Sequence, residues 1–348
     1  MRILASPALL ALVAILATAA VFLAVRAVQE PWVFLQAFMK SMGLGAVYAL
    51  IALGFVLIFK ATQTVNFAQG ALAMIGALFV SFLAADGHIP FTTVANPLAE
   101  IGPSWLSWVI SVAIALVFAA VLGLVIERLA IRPMVGEPLF SVAVITLGLE
   151  VFLRVFANDA VKIQFRSLEI PWGTGGFEIG EAFVAWSYVA AIGATAVSFI
   201  AVFFFYRSRM GIAMRAVAYD QEAAMAQGIN VGRVFAIAWA AGAVLAALGG
   251  IFATQPPIAQ TGAVQVETQF IAFRTLPAVI LGGLDSVQGA LLGGLIIGFA
   301  EIMAGQYLSG QTDILGAGYP LIVPYIVMII GLLLRPYGLF GTPEIRRV

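Results

Sequence analysis

The sequence has no cysteine, one histidine and few charged residues, and each scarcity excludes a class of protein. Without cysteine there is no disulfide framework, no thiolate metal site and no cysteine nucleophile. The one histidine, His88, lies between Gly87 and Pro90 in a predicted loop, and a single histidine cannot build a zinc site. We therefore expect no metal, no cofactor and no catalytic residues, and we interpret His88 as a solvated loop residue.

The low fraction of charged residues indicates the environment of the protein surface. Only 10% of the 348 residues are charged and 63% are hydrophobic, with a mean hydropathy of +1.08. Soluble domains carry about 25% charged residues because water must solvate their surface. A chain this poor in charge exposes most of its surface to a lipid bilayer. We expect an integral membrane protein with no nucleic-acid partner.

Long apolar runs then define the fold class. A bilayer core about 30 Å thick requires roughly 20 apolar residues in a helix. Ten runs meet or approach this length, and the eighth is the weakest because it is short and contains Arg274 and Pro277. The prediction is an all-α, polytopic transmembrane helical bundle of about eight to ten spans. The runs cover about 7–28, 37–59, 67–85, 105–126, 139–157, 184–206, 234–253, 268–284, 287–305 and 319–335.

The distribution of lysine and arginine predicts the orientation, because these residues are retained on the cytoplasmic side. Alternate loops and segment ends fall into a set with eleven such residues and a set with six. Both termini are therefore predicted to be cytoplasmic, with the 158–183 loop outside. The larger set is Arg2, Lys60, Arg128, Arg132, Arg207, Arg209, Arg215, Arg233, Arg335, Arg346 and Arg347; the smaller is Arg26, Lys40, Arg154, Lys162, Arg166 and Arg274.

The first apolar run has two readings. Arg2, a short apolar stretch and the small residues 17–19 also fit a cleavable signal peptide. The apolar stretch continues to about Ala24 with no polar region around that cleavage site, which favours a retained span. The later topology is the same in either case.

The longest predicted cytoplasmic loop, 207–233, carries a candidate docking surface. Residues 212–227 are good helix formers without proline, and Gly228 is a natural stop. The Glu-Ala-Ala-x-x-x-Gly spacing at 222–228 matches the first half of the coupling motif of ATP-driven importer permeases, although the second half is absent. A solvated surface helix is the alternative. The candidate contact residues are Arg215, Glu222, Ala223, Ala224 and Gly228.

Several separated stretches together resemble the LivH-type permeases of branched-chain amino acid importers. The resemblance covers roughly residues 35–342 in the family's order, so residues 1–30 are an additional N-terminal segment and 31–348 form the permease domain. Two departures are Gln69, where the family commonly has histidine, and Asp285, where it commonly has glycine. The matching stretches are 45–54, 65–70, 127–136, 146–149, 281–286 with Gly289, Gly293 and Gly294, and 334–341.

The resemblance implies a pore subunit that works with other proteins. These are a LivM-like second permease, two cytoplasmic ATP-binding subunits and an extracytoplasmic solute-binding protein. The sequence independently supports separate ATPases, because a Walker A loop needs a lysine after glycine. The only lysines are Lys40, Lys60 and Lys162, and none follows glycine.

Ionisable residues inside the membrane are costly and usually face the protein interior. Glu150 and Arg154 are spaced four residues apart and are predicted to pair on one helix face. Glu301 has no local partner, and Arg274 is a candidate for an interhelical pair with it. Neutralisation of charge and a role in the transport pathway are both compatible with Glu150 and Glu301.

Asn66, Gln69 and Thr146 offer hydrogen bonds without the cost of a buried charge. Asn66 and Gln69 open the third run directly after the polar break 60–66. A helix N-terminus exposed in a transport cavity favours anionic groups, so this start is a candidate pathway element that meets a substrate carboxylate. Alternatively, Asn66 only caps the helix through its own backbone.

The functional prediction is an ATP-coupled import permease that works by alternating access, with branched-chain amino acids as its solute. Urea and short amides, which close relatives carry, are the alternative solutes. An ion-coupled secondary transporter is the alternative class, but such proteins commonly hold acidic residues near mid-membrane. Here the acidic candidates are only Glu150 and Glu301, and both are predicted to lie away from the middle of the membrane. A membrane-embedded enzyme lacks any clustered catalytic residues.

Overall fold

A computed structural model of the chain describes residues 7–85, 89, 94–97, 105–134, 137–161, 166–259, 261–311, 316 and 318–342. His88 lies outside these residues. All ten predicted apolar runs coincide with helices, and two further short helices occupy the predicted cytoplasmic loop. In chain order the helices are α1 Pro7–Gln29, α2 Pro31–Thr62, α3 Gln69–Ala85, α4 Trp105–Ile126, α5 Leu139–Val161, α6 Trp186–Arg207, α7 Arg209–Tyr219, α8 Gln221–Ala226, α9 Val231–Ala253, α10 Ile271–Gly282, α11 Val287–Tyr307 and α12 Tyr319–Leu334.

The polytopic helical bundle is confirmed. Among the described residues, six helices are long and apolar enough to cross a membrane: α2, the α4 region, α5, α6, α9 and α11. Shorter apolar helical segments are Ala17–Gln29 within α1, Gln69–Ala84 in α3, and α12, and α10 is the shortest of the ten predicted spans. Its 12 residues extend about 18 Å, well below the thickness of the hydrocarbon core. A 3₁₀ helix, Val266–Phe270, leads directly into it.

Helix α2 is the centre of the bundle. The apolar window of this helix is 89% buried, whereas the windows of α5 and α6 are only 22% buried. Helices α6, α9, α10 and α11 pack around α2, while α3 and α4 pack on the far side of α9. The exposed aliphatic and aromatic side chains of the outer helices are compatible with a lipid environment. In such an environment, close packing rather than hydrophobic burial holds helices together.

Small residues allow the central contacts. Gly294 on α11 lies directly against the backbone of Ala49 on α2, and Gly298 lies against the backbone of Gly45. A methyl group at either glycine would meet backbone atoms of α2. Close backbone approach of this kind is how helices gain packing energy in a membrane.

Polar caps begin the helices at the predicted cytoplasmic end. The side chains of Ser208, Asp220, Asn230 and Ser286 accept bonds from backbone N–H groups at the starts of α7, α8, α9 and α11. These caps satisfy donors that the first helical turn leaves free.

The end of α4 is irregular and tied to α9. The helix continues as a π-helical turn, Glu127–Ile131, and a 3₁₀ turn, Arg132–Met134. Arg132 donates from Nε and Nη2 to the two carboxylate oxygens of buried Glu127, both at 2.9 Å. Its Nη2 also donates to the Gly232 carbonyl oxygen at 3.2 Å, which fixes the start of α9.

Two small antiparallel sheets lie in loops, a local addition to the predicted all-α class. Strand β1, Arg166–Ser167, pairs with β4, Ala263–Val264. Strand β2, Gly176–Ile179, pairs with β3, Ala182–Ala185, in a hairpin before α6. The Trp172 indole in the same loop donates to Ser187 Oγ at 2.9 Å, and its ring contacts two tryptophans at the start of α4.

Candidate functional site

The polar break between α2 and α3 reaches into the bundle. Helix α2 ends at Thr62 and Gln63 adopts a left-handed conformation, after which the chain turns back. The Gln69 carboxamide packs against Gly54, and a side chain at that glycine would collide with it. Since Gly54 precedes Thr62 by eight residues, the start of α3 lies about 12 Å from the end of α2.

Asn66 and Gln69 form one buried hydrogen-bonded unit at this start. Asn66 Oδ1 accepts from the Ala68 backbone N–H at 3.0 Å, and its Nδ2 donates to Gln69 Oε1 at 2.9 Å. Gln69 Nε2 donates in turn to the Gly242 carbonyl oxygen at 3.2 Å. Both side chains are at most 1% exposed. The bond to Ala68 is of the kind the capping interpretation expects, and the pathway role stays a prediction.

Thr146 joins α5 to the same unit. Its hydroxyl accepts from the Phe67 backbone N–H at 3.2 Å and donates to the Ala143 carbonyl oxygen at 2.8 Å. The residue is fully buried. The structure therefore brings together three of the predicted pathway residues, from two helices whose sequence positions lie about 80 apart.

A fourth polar residue at this place was missed from the sequence. Gln269, in the 3₁₀ helix before α10, is 2% exposed, and its Oε1 has no hydrogen-bond partner among the described residues. Its carbonyl oxygen and Ala272 lie against Gly70, so the starts of α3 and α10 touch. The signal was present as an amide at the head of the eighth apolar run, but sequence alone does not show which helix start it meets.

Glu150 and Arg154 form the predicted pair on α5. Arg154 Nε lies 3.1 Å from Glu150 Oε1, and the Glu150 side chain is the more buried of the two. The ion pair neutralises a carboxylate that faces the bundle interior. This pair is confirmed, while any role of Glu150 in transport stays a prediction.

Glu301 lies in α11 and is bonded across the bundle to α2. The Tyr48 hydroxyl donates to Glu301 Oε2 at 2.7 Å, and both residues are buried. Arg274 of α10 interacts electrostatically with both of them and hydrogen-bonds the Tyr48 side chain. Within the described part of the chain, it forms no ion pair with Glu301 within 4.0 Å, so the predicted interhelical pairing is present only as a longer-range interaction. The Tyr48 contact was not predicted, because the two residues are 253 positions apart.

The predicted docking helix is two helices, not one. Asp220 has an extended backbone between α7 and α8, and its carboxylate caps Ala223 N at 2.9 Å. The prediction of one helix over 212–227 was wrong because Asp220 caps a new helix instead of continuing the old one. Gly228 ends α8 with a φ of +79°, as predicted.

The candidate docking residues differ in exposure. Arg215, Glu222, Ala223 and Gly228 are exposed, whereas Ala224 is buried and packs into the protein. Arg215 donates to the Tyr206 carbonyl oxygen at 2.7 Å. The exposed members form a surface on α7 and α8, and Ala224 anchors it.

A cleft of about 1060 Å³ lies beside this surface. Lys60 at the end of α2 donates to the Asp285 carbonyl oxygen at 2.6 Å, which closes one wall. The Asp285 carboxylate accepts from the backbone N–H and the hydroxyl of Thr342. The extra charge at this turn therefore ties the chain after α12 to the turn between α10 and α11.

Comparisons with known proteins agree with this architecture. A family model described as "Branched-chain amino acid transport system / permease component" matches residues 37–332. LivH of Salmonella typhimurium, a high-affinity branched-chain amino acid transport system permease protein, is 31% identical over 323 residues, which are 90% of this chain and 98% of that protein. BraD of Pseudomonas aeruginosa, which carries the same description, is 31% identical over 330 residues, covering 92% and 99%. A probable LivH of Methanocaldococcus jannaschii is 27% identical over 310 residues, covering 84% and 88%.

Proposed function

The chain belongs to the family of permease components of branched-chain amino acid transport systems, and from that premise we propose that it is one of two transmembrane subunits of an ATP-driven importer. The family match over 37–332 carries this proposal, because it extends from the central helix α2 into α12. Helix α1 precedes the match and fits an additional N-terminal segment. The protein is a membrane transport subunit and not an enzyme.

The proposed importer requires four partner chains. A LivM-like second permease completes the pore, and two cytoplasmic ATP-binding subunits supply the energy. An extracytoplasmic solute-binding protein presents the solute at the outer side. Separate ATPases follow from the absence of any lysine after glycine, since a phosphate-binding loop needs that pair.

Helices α7 and α8 are the proposed contact with an ATPase. Their exposed residues Arg215, Glu222, Ala223 and Gly228 form the docking surface, with Ala224 as the internal anchor. Helix α7 packs on α2, α6 and α9, and α8 leads directly into α9. Movement of the ATPase is thereby transmitted to the central helices, which open the pathway to alternate sides.

We place the solute pathway beside the start of α3. Asn66, Gln69 and Thr146 form a fixed polar element there. Glu150 and Glu301 are the acidic residues that we propose to take part in the pathway. Branched-chain amino acids are the proposed solutes, because LivH and BraD are permeases of branched-chain amino acid transport systems. Urea and short amides are tested as competing solutes in the same assay.

Reconstitution of the complete importer in proteoliposomes tests this function. We expect ATP-dependent uptake of radiolabelled leucine that requires the binding protein and both ATPases. Uptake driven by an ion gradient without ATP would instead identify a secondary transporter. Import of urea in preference to leucine would overturn the proposed solute.

Substitution of Glu222 tests the docking surface. Glu222→Ala removes a charge from an exposed surface, so we expect severalfold weaker transport-coupled ATP hydrolysis with an unchanged melting temperature of the permease. Glu178→Ala, in the exposed hairpin before α6, is the matched control and should leave coupling intact. Full coupling in the Glu222 variant would remove this residue from the ATPase contact.

A further inference from the structure

Arg274 is an exposed cation on a short helix inside a membrane protein. It lies in the first turn of α10, and its side chain is exposed although the neighbouring residues Ala272 and Thr275 are buried. An arginine facing hydrocarbon is strongly disfavoured, so such residues face water-filled cavities or other protein. The Arg274 guanidinium is therefore expected to face water, protein or the membrane interface and not the hydrocarbon core.

The buried carboxylate of Glu301 interacts with the Arg274 guanidinium. Glu301, held by the Tyr48 hydroxyl at 2.7 Å, interacts electrostatically with Arg274. Among the described residues, Arg274 forms no ion pair within 4.0 Å, in contrast to Arg26, Arg132 and Arg154. Arg274 hydrogen-bonds the Tyr48 side chain. Since arginine carries five N–H donors in a planar fork, donors remain for a further carboxylate.

Two exposed aromatic rings lie close to Arg274 in the chain. Phe270 ends the 3₁₀ helix before α10, and Phe273 lies in the first turn of α10 directly before Arg274. Both rings are exposed, and their centroids lie 6.3 Å apart. An exposed guanidinium and two exposed apolar rings at the start of one helix suit a small molecule that carries a carboxylate next to an aliphatic side chain.

The start of α10 differs from the polar unit at the start of α3, although the two are close. Gly70 of α3 touches Ala272 of α10, yet Asn66 and Gln69 are at most 1% exposed and bonded internally. Arg274 is exposed, although it also hydrogen-bonds Tyr48. Arg274 is therefore a better candidate than Asn66 or Gln69 for the first contact with a substrate carboxylate.

We propose that Arg274, with Phe270 and Phe273, lines the solute pathway and binds the carboxylate of the transported amino acid. This inference rests on the proposed function and adds a specific recognition residue to it. Glu301 and Tyr48 act as positioning residues that hold the guanidinium in place. Solutes without a carboxylate should lose this contact.

The experiment uses the purified pair of permease subunits and the complete reconstituted importer. Equilibrium dialysis measures binding of radiolabelled leucine to the pore, in competition with unlabelled leucine or with leucinol, which lacks the carboxylate. The wild-type pore should prefer leucine to leucinol. Arg274→Gln should weaken leucine binding about ten- to hundredfold, as expected for the loss of a charged hydrogen-bonded contact, and should abolish the preference. Arg274→Lys should restore part of it.

Arg26→Gln is the matched control, because Arg26 is a half-exposed arginine on α1, outside the family match. Leucine uptake should fall in the Arg274→Gln importer and stay at the wild-type level in the Arg26→Gln importer. Co-purification of the second permease should be unchanged in both.

The failures are distinguishable. If the wild-type importer takes up no leucine with ATP, the proposed function itself fails. If the wild-type importer does transport leucine but Arg274→Gln keeps the leucine preference and the uptake rate, only this inference is overturned. Loss of the second permease on co-purification, with the preference retained, would assign Arg274 to the subunit interface and would also overturn it. The inference is also overturned if the wild-type pore shows no preference for leucine over leucinol.

Discussion

The starts of α3 and α10 touch each other, but their polar side chains differ in burial and in hydrogen bonding. At the start of α3, Asn66, Gln69 and Thr146 are buried and bonded to each other or to backbone. At the start of α10, Gln269 Oε1 has no hydrogen-bond partner among the described residues, and Arg274 is exposed. Bonded buried amides rigidify a structure, whereas exposed polar groups can meet a ligand. This difference supports the proposal of a positioning role for the start of α3 and a binding role for the start of α10.

The largest expected effect concerns the contact between the two starts. Gly70→Ala places a methyl group against the Gln269 carbonyl oxygen and Ala272, where the backbone leaves no room. Overpacking of this kind should lower the free energy of unfolding by about 3 kcal/mol. Thermal unfolding of the purified protein measures it.

Gly148→Ala on α5 is the control, because a methyl group there meets no atom within 4 Å. We expect its melting temperature to match or exceed that of the wild type, since alanine favours the helix. Equal stability of the two variants would mean that the starts of α3 and α10 do not touch as described.

The next largest effect on stability distinguishes the two buried glutamines, Gln69 and Gln269. Gln69→Leu leaves the Asn66 amide without its partner and removes the side-chain bond to the Gly242 carbonyl oxygen, and should cost about 2 kcal/mol. Gln269→Leu removes an oxygen that has no partner among the described residues, so it should cost much less. Denaturation of the two variants in the same detergent gives the difference. A reversed order would contradict the assignment of the bonded unit to α3.

Asn66→Ala should have a smaller effect on stability, about 1 kcal/mol, as for other lost caps. Transport kinetics then separate positioning from a pathway role. If leucine uptake in vesicles keeps its rate and its dependence on leucine concentration, Asn66 only caps α3. A changed rate in a variant that remains folded would support the pathway role.

The smallest effect on stability is expected at Phe273. Its ring is exposed, so Phe273→Leu should change the free energy of unfolding by less than about 0.5 kcal/mol. Leucine uptake should nevertheless fall if the ring lines the pathway. Unchanged uptake would remove Phe273, though not Arg274, from the proposed recognition site.

Much of this fold could be predicted from local sequence. The apolar runs coincide with helices because lipid requires each span to satisfy its own backbone. The Glu150–Arg154 pair was predictable for the same local reason, since four residues make about one helical turn. Helix α2 begins six residues before its predicted run, at Pro31, because proline is favoured at a helix start.

Contacts between distant positions could not be predicted. The Tyr48–Glu301 bond and the meeting of Gly70 with Gln269 depend on how the helices pack, which hydropathy does not encode. The break at Asp220 was readable in principle, because aspartate is a strong capping residue, but helix propensity summed over 212–227 concealed it. The orientation of the termini remains a prediction.

The tie between Arg132, Glu127 and the Gly232 carbonyl oxygen has a mechanical consequence. It couples the end of α4 to the first turn of α9, so these two helices cannot slide independently at this end of the bundle. Helix α8 stands immediately before α9, which makes it a short lever acting on a stiff two-helix body. If a partner displaces α8 as proposed, we expect α4 and α9 to move together at this end of the bundle.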